Sequence, residues 1–139
     1  MTIRFTLDPA AHAPTHAHAD DAGWDLYSTE NKWIPPHSGV AFDTGVHIAI
    51  PAGYFGRVAP RSGLNIRRNI ASVDGIIDSG YTGSIVAKLY NQGNEGVQIC
   101  QGDKIAQLII QPFAVAELEQ VQELPATERG NNGFGSSGR

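Results

Sequence analysis

The chain has a single cysteine in 139 residues, so no internal disulfide can form, and a reducing compartment suits it. No apolar run approaches the ~20 residues that a membrane-spanning helix needs. The N-terminus shows neither the apolar stretch of a signal peptide nor a basic transit segment. These absences predict a soluble protein that stays in the cytoplasm. Basic residues are also scarce: 10 Lys and Arg stand against 14 Asp and Glu, a formal charge of −4. That balance excludes a general nucleic-acid binder, which needs a basic face. A phosphate ligand would require positive charge gathered locally or brought by a metal. The Walker A, HExxH and CxxC patterns are missing, and with them the chemistries those motifs serve.

What the chain does have is punctuation. Sixteen glycines and eight prolines are spread along it, as expected for many short strands joined by turns. Alternating apolar and polar residues predict strands over 2–7, 22–28, 31–34, 39–50, 54–59, 97–100 and 104–113. Residues 62–69 fit one short helix, with Ser62 as its N-cap and Arg67 and Arg68 near its C-terminal end. In 104–113, Ala106, Leu108 and Ile110 face one way and Ile105, Gln107 and Ile109 the other. A strand apolar on both faces suggests a double-sheet core or a subunit interface. Residues 115–124 suit either a helix or a strand. The pattern predicts an all-β sandwich or jelly roll with one short helix. It comprises a β domain over 1–124 and a flexible, Gly-rich tail over 125–139. Cys100 reads as a small apolar core residue. His12, His16 and His18 lie in a Pro-flanked loop, where nothing completes a metal-ligand set.

The stretch 75–83 draws these pieces together. Apolar residues run up to Asp78-Ser79-Gly80, then Tyr81 leads into an alternating run over 84–90, which reads as a tight hairpin. Gly75, Gly80 and Gly83 allow a ligand to approach the backbone closely. Asp78 and Tyr81 at its lip look like parts of a nucleoside pocket, although a solvated Asp and an edge-covering Tyr would read the same. Arg61-Ser62-Gly63 offers a guanidinium fork, a hydroxyl and bare N–H groups at a helix start, a suitable grip for phosphate oxygens.

Five segments stand in order: Ala22-Gly23-Trp24-Asp25-Leu26, Pro60-Arg61-Ser62-Gly63, Gly75-Ile76-Ile77-Asp78 through Tyr81 to Gly83, Gly102-Asp103-Lys104-Ile105-Ala106-Gln107, and Arg129-Gly130 through Phe134 to Gly138. Together they resemble the five motifs of the trimeric dUTPases, over nearly the whole chain. The resemblance implies hydrolysis of dUTP to dUMP and pyrophosphate, assisted by Mg²⁺ held mainly by the triphosphate and waters. It implies Asp78 as the general base that orients the attacking water, and Tyr81 stacked under deoxyribose. The backbone around Gly75 and Ile77 would read the uracil edge. Arg61, Ser62, Gly63 and Gln107 would contact phosphates, and Asp25 would act near the metal and phosphates through water or through Arg61. Arg129 would bind the γ-phosphate and Phe134 would close over uracil. Gly135, Ser136 and Ser137 would lend donors to the phosphates. By the same resemblance the protein is a jelly-roll homotrimer. One chain gives Asp25, Arg61 and Gln107, a second the Asp78 loop, and a third the tail.

Four positions depart from the pattern: Ser72, Asp74, Lys104 in place of the usual Arg, and Ser137 in place of the usual Thr. Asp74 places negative charge beside the pocket. Three neighbouring readings share the pattern in part: a dCTP deaminase of the same fold, a nucleotide-switched module that binds a partner protein, and a purely structural jelly roll.

Overall fold

Short apolar–polar alternations set the strand lengths, and the turns between them set which strands meet. The computed structural model describes residues 1–133. Its strands are β1 (Arg4–Leu7), β2 (Trp24–Tyr27), β3 (Lys32–Ile34), β4 (Gly39–Asp43), β5 (Val46–Ala49) and β6 (Tyr54–Ala59), then helix α1 (Ser62–Arg68). The strands β7 (Ile70–Ser72), β8 (Gly75–Ile77), β9 (Val86–Asn91), β10 (Val97–Ile99) and β11 (Lys104–Pro112) follow. One sheet runs β2-β11-β6-β8 and a second β4-β9-β7, with two-stranded ribbons β1-β5 and β3-β10. Every pairing is antiparallel. Leu26, Val58 and Leu108 of the first sheet meet Phe42, Ile70 and Leu89 of the second in one apolar cluster, joined by Ile34, Val46, Ile85 and Ile99. This is the jelly-roll-like, all-β arrangement with one short helix that the pattern predicts.

Two buried polar side chains tie the layers. Asn91 donates to the carbonyls of Ile34 and Glu95 at 3.2 and 2.7 Å and accepts from the Gly93 N–H at 2.9 Å. The Thr44 hydroxyl donates to the Ile85 carbonyl at 2.7 Å. Both residues are buried, and the bonds satisfy groups that would otherwise be costly to bury.

Several expectations need correction. The stretch 75–90 is not a hairpin, because its two arms lie in different sheets. β8 pairs with β6, while β9 pairs with β4 and β7. The Asp78–Tyr81 turn is real, with the Tyr81 N–H donating to the Asp78 carbonyl at 3.2 Å. Beyond it, the fully buried Ile85 bonds back to Val46 and carries the chain into the second sheet. Residues 39–50 form two strands, β4 and β5, divided at Thr44 and Gly45, rather than one. Ser62 is the first helical residue; Arg61 occupies the N-cap and makes no side-chain cap bond. Cys100 is exposed, not a core residue. It follows β10 at a turn, where its N–H donates to Asp103 at 2.9 Å. Residues 115–124 form neither helix nor strand.

The two faces of β11 behave differently from a strand buried on both. A register shift between Lys104 and Ala106 turns Ile105 and Ala106 inward together. Beyond it, Leu108 is buried, while Gln107 and Ile109 are half-buried on the opposite face.

Candidate active site

Strand β11 is the reason three distant segments become neighbours. It lies between β2 and β6, and Gln107 stands opposite Asp25 on one side and Ala59 on the other. Asp25 on β2, Arg61 just past β6, and Lys104 and Gln107 on β11 are thereby gathered at one end of the sheet. Asp25, Arg61 and Gln107, with Ser62 and Gly63, surround a cleft of about 390 Å³, walled further by Asp21, Gly23 and Ile109, while Lys104 reaches Asp25 from beside it.

Asp25 is the hub of this cleft. Its side chain is 12% exposed, and its two oxygens form separate ion pairs, with Arg61 Nε at 2.9 Å and Lys104 Nζ at 2.7 Å. Arg61 Nη1 also donates to the Lys104 carbonyl at 3.3 Å. The guanidinium plane is therefore fixed before any ligand arrives. The Asp25 carboxylate holds the Lys104 ammonium above its ordinary pKa, so Lys104 stays charged through the neutral range. Gln107 donates from Nε2 to the Pro60 carbonyl at 2.9 Å, bracing the turn that presents Arg61. Gly23 leaves room for this side chain: a Cβ there would push the Gln107 carboxamide from its place.

The Asp78 loop is built elsewhere on the chain. Its strand β8 is an edge of the first sheet, with Gly75 and Ile77 opposite Val58 and Gly56. An edge strand leaves backbone donors and acceptors along one side for a ligand. Asp78 is exposed and lines a separate recess of about 230 Å³ with Phe55, Ile76 and Phe113. The Tyr81 hydroxyl donates to the Ser84 carbonyl at 3.2 Å. Its ring lies where a Cβ on Gly83 would be, so Gly83 is what lets the ring fold back over the loop. Asp74 does not stand free beside this loop: Arg57 donates to it from Nε at 3.0 Å and Nη2 at 2.5 Å.

The sequence-predicted residues thus fall into three places. Asp25, Arg61, Ser62, Gly63 and Gln107 come together; Gly75, Ile77, Asp78 and Tyr81 form the second group. Arg129 lies in a local turn of the C-terminal segment, donating from Nε to the Asn132 carbonyl at 3.0 Å. Phe134, Gly135, Ser136 and Ser137 lie outside the described residues. Lys104 and Asp21 were not expected in the site. The signal for Lys104 was its place in the fourth motif, but the register shift that aims it at Asp25 leaves no trace in the alternation. Among the three histidines of the N-terminal loop, His16 packs on Trp24 and His12 against Tyr27, with ring centroids 3.6 and 5.2 Å apart.

The dUTPase family model matches residues 9–138. The chain belongs to the dUTPase family. It is 45% identical to the human mitochondrial deoxyuridine 5'-triphosphate nucleotidohydrolase over its whole length, and it spans 56% of that relative. The mouse nucleotidohydrolase is 43% identical over 99% of the chain and 86% of the relative. That of Gloeothece citriformis is 39% identical over 99% and 97%. Among solved structures, a mutant dUTPase of Staphylococcus bacteriophage 80alpha with dUpNHpp superposes with a TM-score of 0.93. It is 30% identical and covers 99% of each chain. A mutant dUTPase of the S. aureus phage phi11, described as coordinating a structural Mg(II) ion, gives 0.85 at 29% identity, over 91% of this chain and 100% of its own. Family membership places the chain among the hydrolases that convert dUTP to dUMP, and the named relatives favour that reaction over deamination of dCTP. No helix among the described residues is long and apolar enough to cross a membrane.

Proposed function

We propose that the chain hydrolyses dUTP by in-line attack of a water, oriented and deprotonated by Asp78, on the α-phosphorus, releasing dUMP and pyrophosphate. A carboxylate is a modest base, so the exact placing of that water supplies much of the rate. Arg61, Ser62 and Gly63 grip the phosphates, with Gln107 holding the Arg61 turn, and Arg129 with the tail residues 134–137 closes over the bound nucleotide. Asp25 acts through Arg61, whose guanidinium it aims. Tyr81 lies under deoxyribose, and the free edge of β8 near Gly75 and Ile77 pairs with uracil. A donor–acceptor pattern fixed in backbone discriminates strongly against cytosine.

Mg²⁺ fits this cleft as a passenger of the triphosphate. Both Asp25 oxygens already pair with cations, and no group of three metal-ligating side chains occurs among the described residues. When bound, the ion supplies charge neutralisation at the phosphoryl oxygens. Asp25 and Asp21 in the cleft offset Arg61 and the adjoining Lys104, so further positive charge has a clear place in the scheme.

The observation that carries this reading is the division of the machinery. The phosphate-type donors line one cleft and Asp78 another, so a complete site calls for more than one copy. The segment after β11 supports the same conclusion. Val115 is 83% and Leu118 99% exposed, an apolar arm that nothing among the described residues covers. A homotrimer with three shared sites satisfies both. The single cysteine suits a reducing compartment such as the cytoplasm.

Pyrophosphate release should be measured with dUTP, dCTP, dTTP and UTP, for the wild type and Asp78→Asn. Turnover of dUTP alone, lost in the variant, is expected. Turnover surviving in Asp78→Asn would remove Asp78 from the role of base.

A further inference from the structure

His47 sits on β5 with both ring nitrogens committed to oxygen acceptors. Nδ1 lies 2.8 Å from the Thr82 carbonyl and Nε2 3.2 Å from Asp8 Oδ1. Neither a carbonyl nor a carboxylate can donate, and a neutral imidazole carries only one N–H. Only the doubly protonated ring satisfies both bonds at once. Thr82 directly follows Tyr81, so one bond is to the loop that carries Asp78 and Tyr81, and the other is to the chain just beyond β1. A second tie holds the same loop: the Ser84 hydroxyl donates to Asp43 at the end of β4.

We propose that imidazolium His47 is a positioning residue for dUTP binding, clamping the Tyr81 loop to the end of β1 so that Tyr81 and the uracil-reading edge are held in place. The proposal rests on the reading of 75–83 as the nucleoside loop. The charged groups facing His47 are Asp8 and Arg4 from the β1 side and Asp43 from β4, while the loop itself presents a carbonyl. The Thr82 carbonyl first, and then Asp8, hold its proton above the ordinary histidine range. The sign follows. Below pH ~6.5 the clamp is fully formed, and it is lost as pH rises through the raised value. A neutral ring keeps one acceptor and turns a lone pair on the other.

The test is the pH dependence of KM and kcat for dUTP hydrolysis by the full assembly, from pH 6 to 9, in wild type, His47→Gln and Asp8→Asn. The wild-type KM is expected to rise roughly threefold to tenfold through the His47 transition, the worth of one hydrogen bond, with kcat changing less. In His47→Gln that inflection should vanish. In Asp8→Asn it should move to lower pH, because the carboxylate that favours the charged ring is gone. Parallel KM profiles in all three proteins would overturn the proposal. Gly83→Ala, measured alongside, separates the two readings: if its KM is unchanged, the nucleoside-loop assignment fails; if its KM rises while the profiles are parallel, only the clamp fails.

Discussion

At the scale of single residues, the cleft depends on one carboxylate serving two cations. Asp25 aims Arg61 through Nε, which a lysine cannot imitate, since an ammonium has no fork and no fixed plane. Arg61→Lys keeps the charge and is expected to lower kcat/KM for dUTP by about 10- to 100-fold, the worth of a charge-assisted hydrogen bond lost at the phosphates. Asp25→Asn should produce a loss of the same order for a different reason. Its amide can accept from one cation, but its NH₂ would point at the other. Steady-state kinetics beside a thermal melt would check both. A drop in kcat/KM with a melt close to wild type places the effect in the site, whereas a matching collapse of the melt would make Asp25 a structural residue.

At the scale of elements, the Asp78 loop shows what a sequence can and cannot reveal. The Tyr81 ring can fold back over the loop only because Gly83 has no side chain in the space the ring occupies. Gly83→Ala should therefore displace the ring and raise KM for dUTP on the order of tenfold or more. Isothermal titration with a non-hydrolysable dUTP analogue would read this directly, and unchanged affinity would show that Tyr81 is not a nucleoside contact. Strands such as β2, β6 and β11 were legible because alternation and flanking Gly and Pro are local signals. The partner of β8 was not. A turn at Asp78–Tyr81 looks the same locally whether the chain folds back on itself or crosses to another sheet, and the buried Ile85 that decides the matter acts through Val46. Lys104 was hidden for a similar reason, since a shifted register breaks the alternation that would have aimed it. Cys100 misled because apolar character is not burial: it sits where β10 gives way to a turn. The family was legible, because its motifs are written in side-chain type and order along the span the family model matches.

At the scale of the whole molecule, the proposed trimer leaves no chain catalytically complete alone. Arg61 and Asp78 line different clefts, and the apolar residues after β11 lie uncovered. Arg61→Ala and Asp78→Asn should each abolish turnover as pure proteins. When the two are denatured together and refolded in equal amounts, subunits assort at random. A site that takes Arg61 from one copy and Asp78 from its neighbour is then intact when the first is an Asp78→Asn chain and the second an Arg61→Ala chain. That happens in about a quarter of sites, so the mixture should recover about a quarter of wild-type turnover. Sites built within one chain would always carry one lesion, and the mixture would stay inactive at every ratio. Leu118→Asp adds the structural half of the argument: charge in the exposed arm should weaken assembly in sedimentation runs, and turnover should fall in step with the fraction assembled. Recovery by mixing, combined with activity that tracks assembly, would make the trimer part of the active site rather than a by-product of packing.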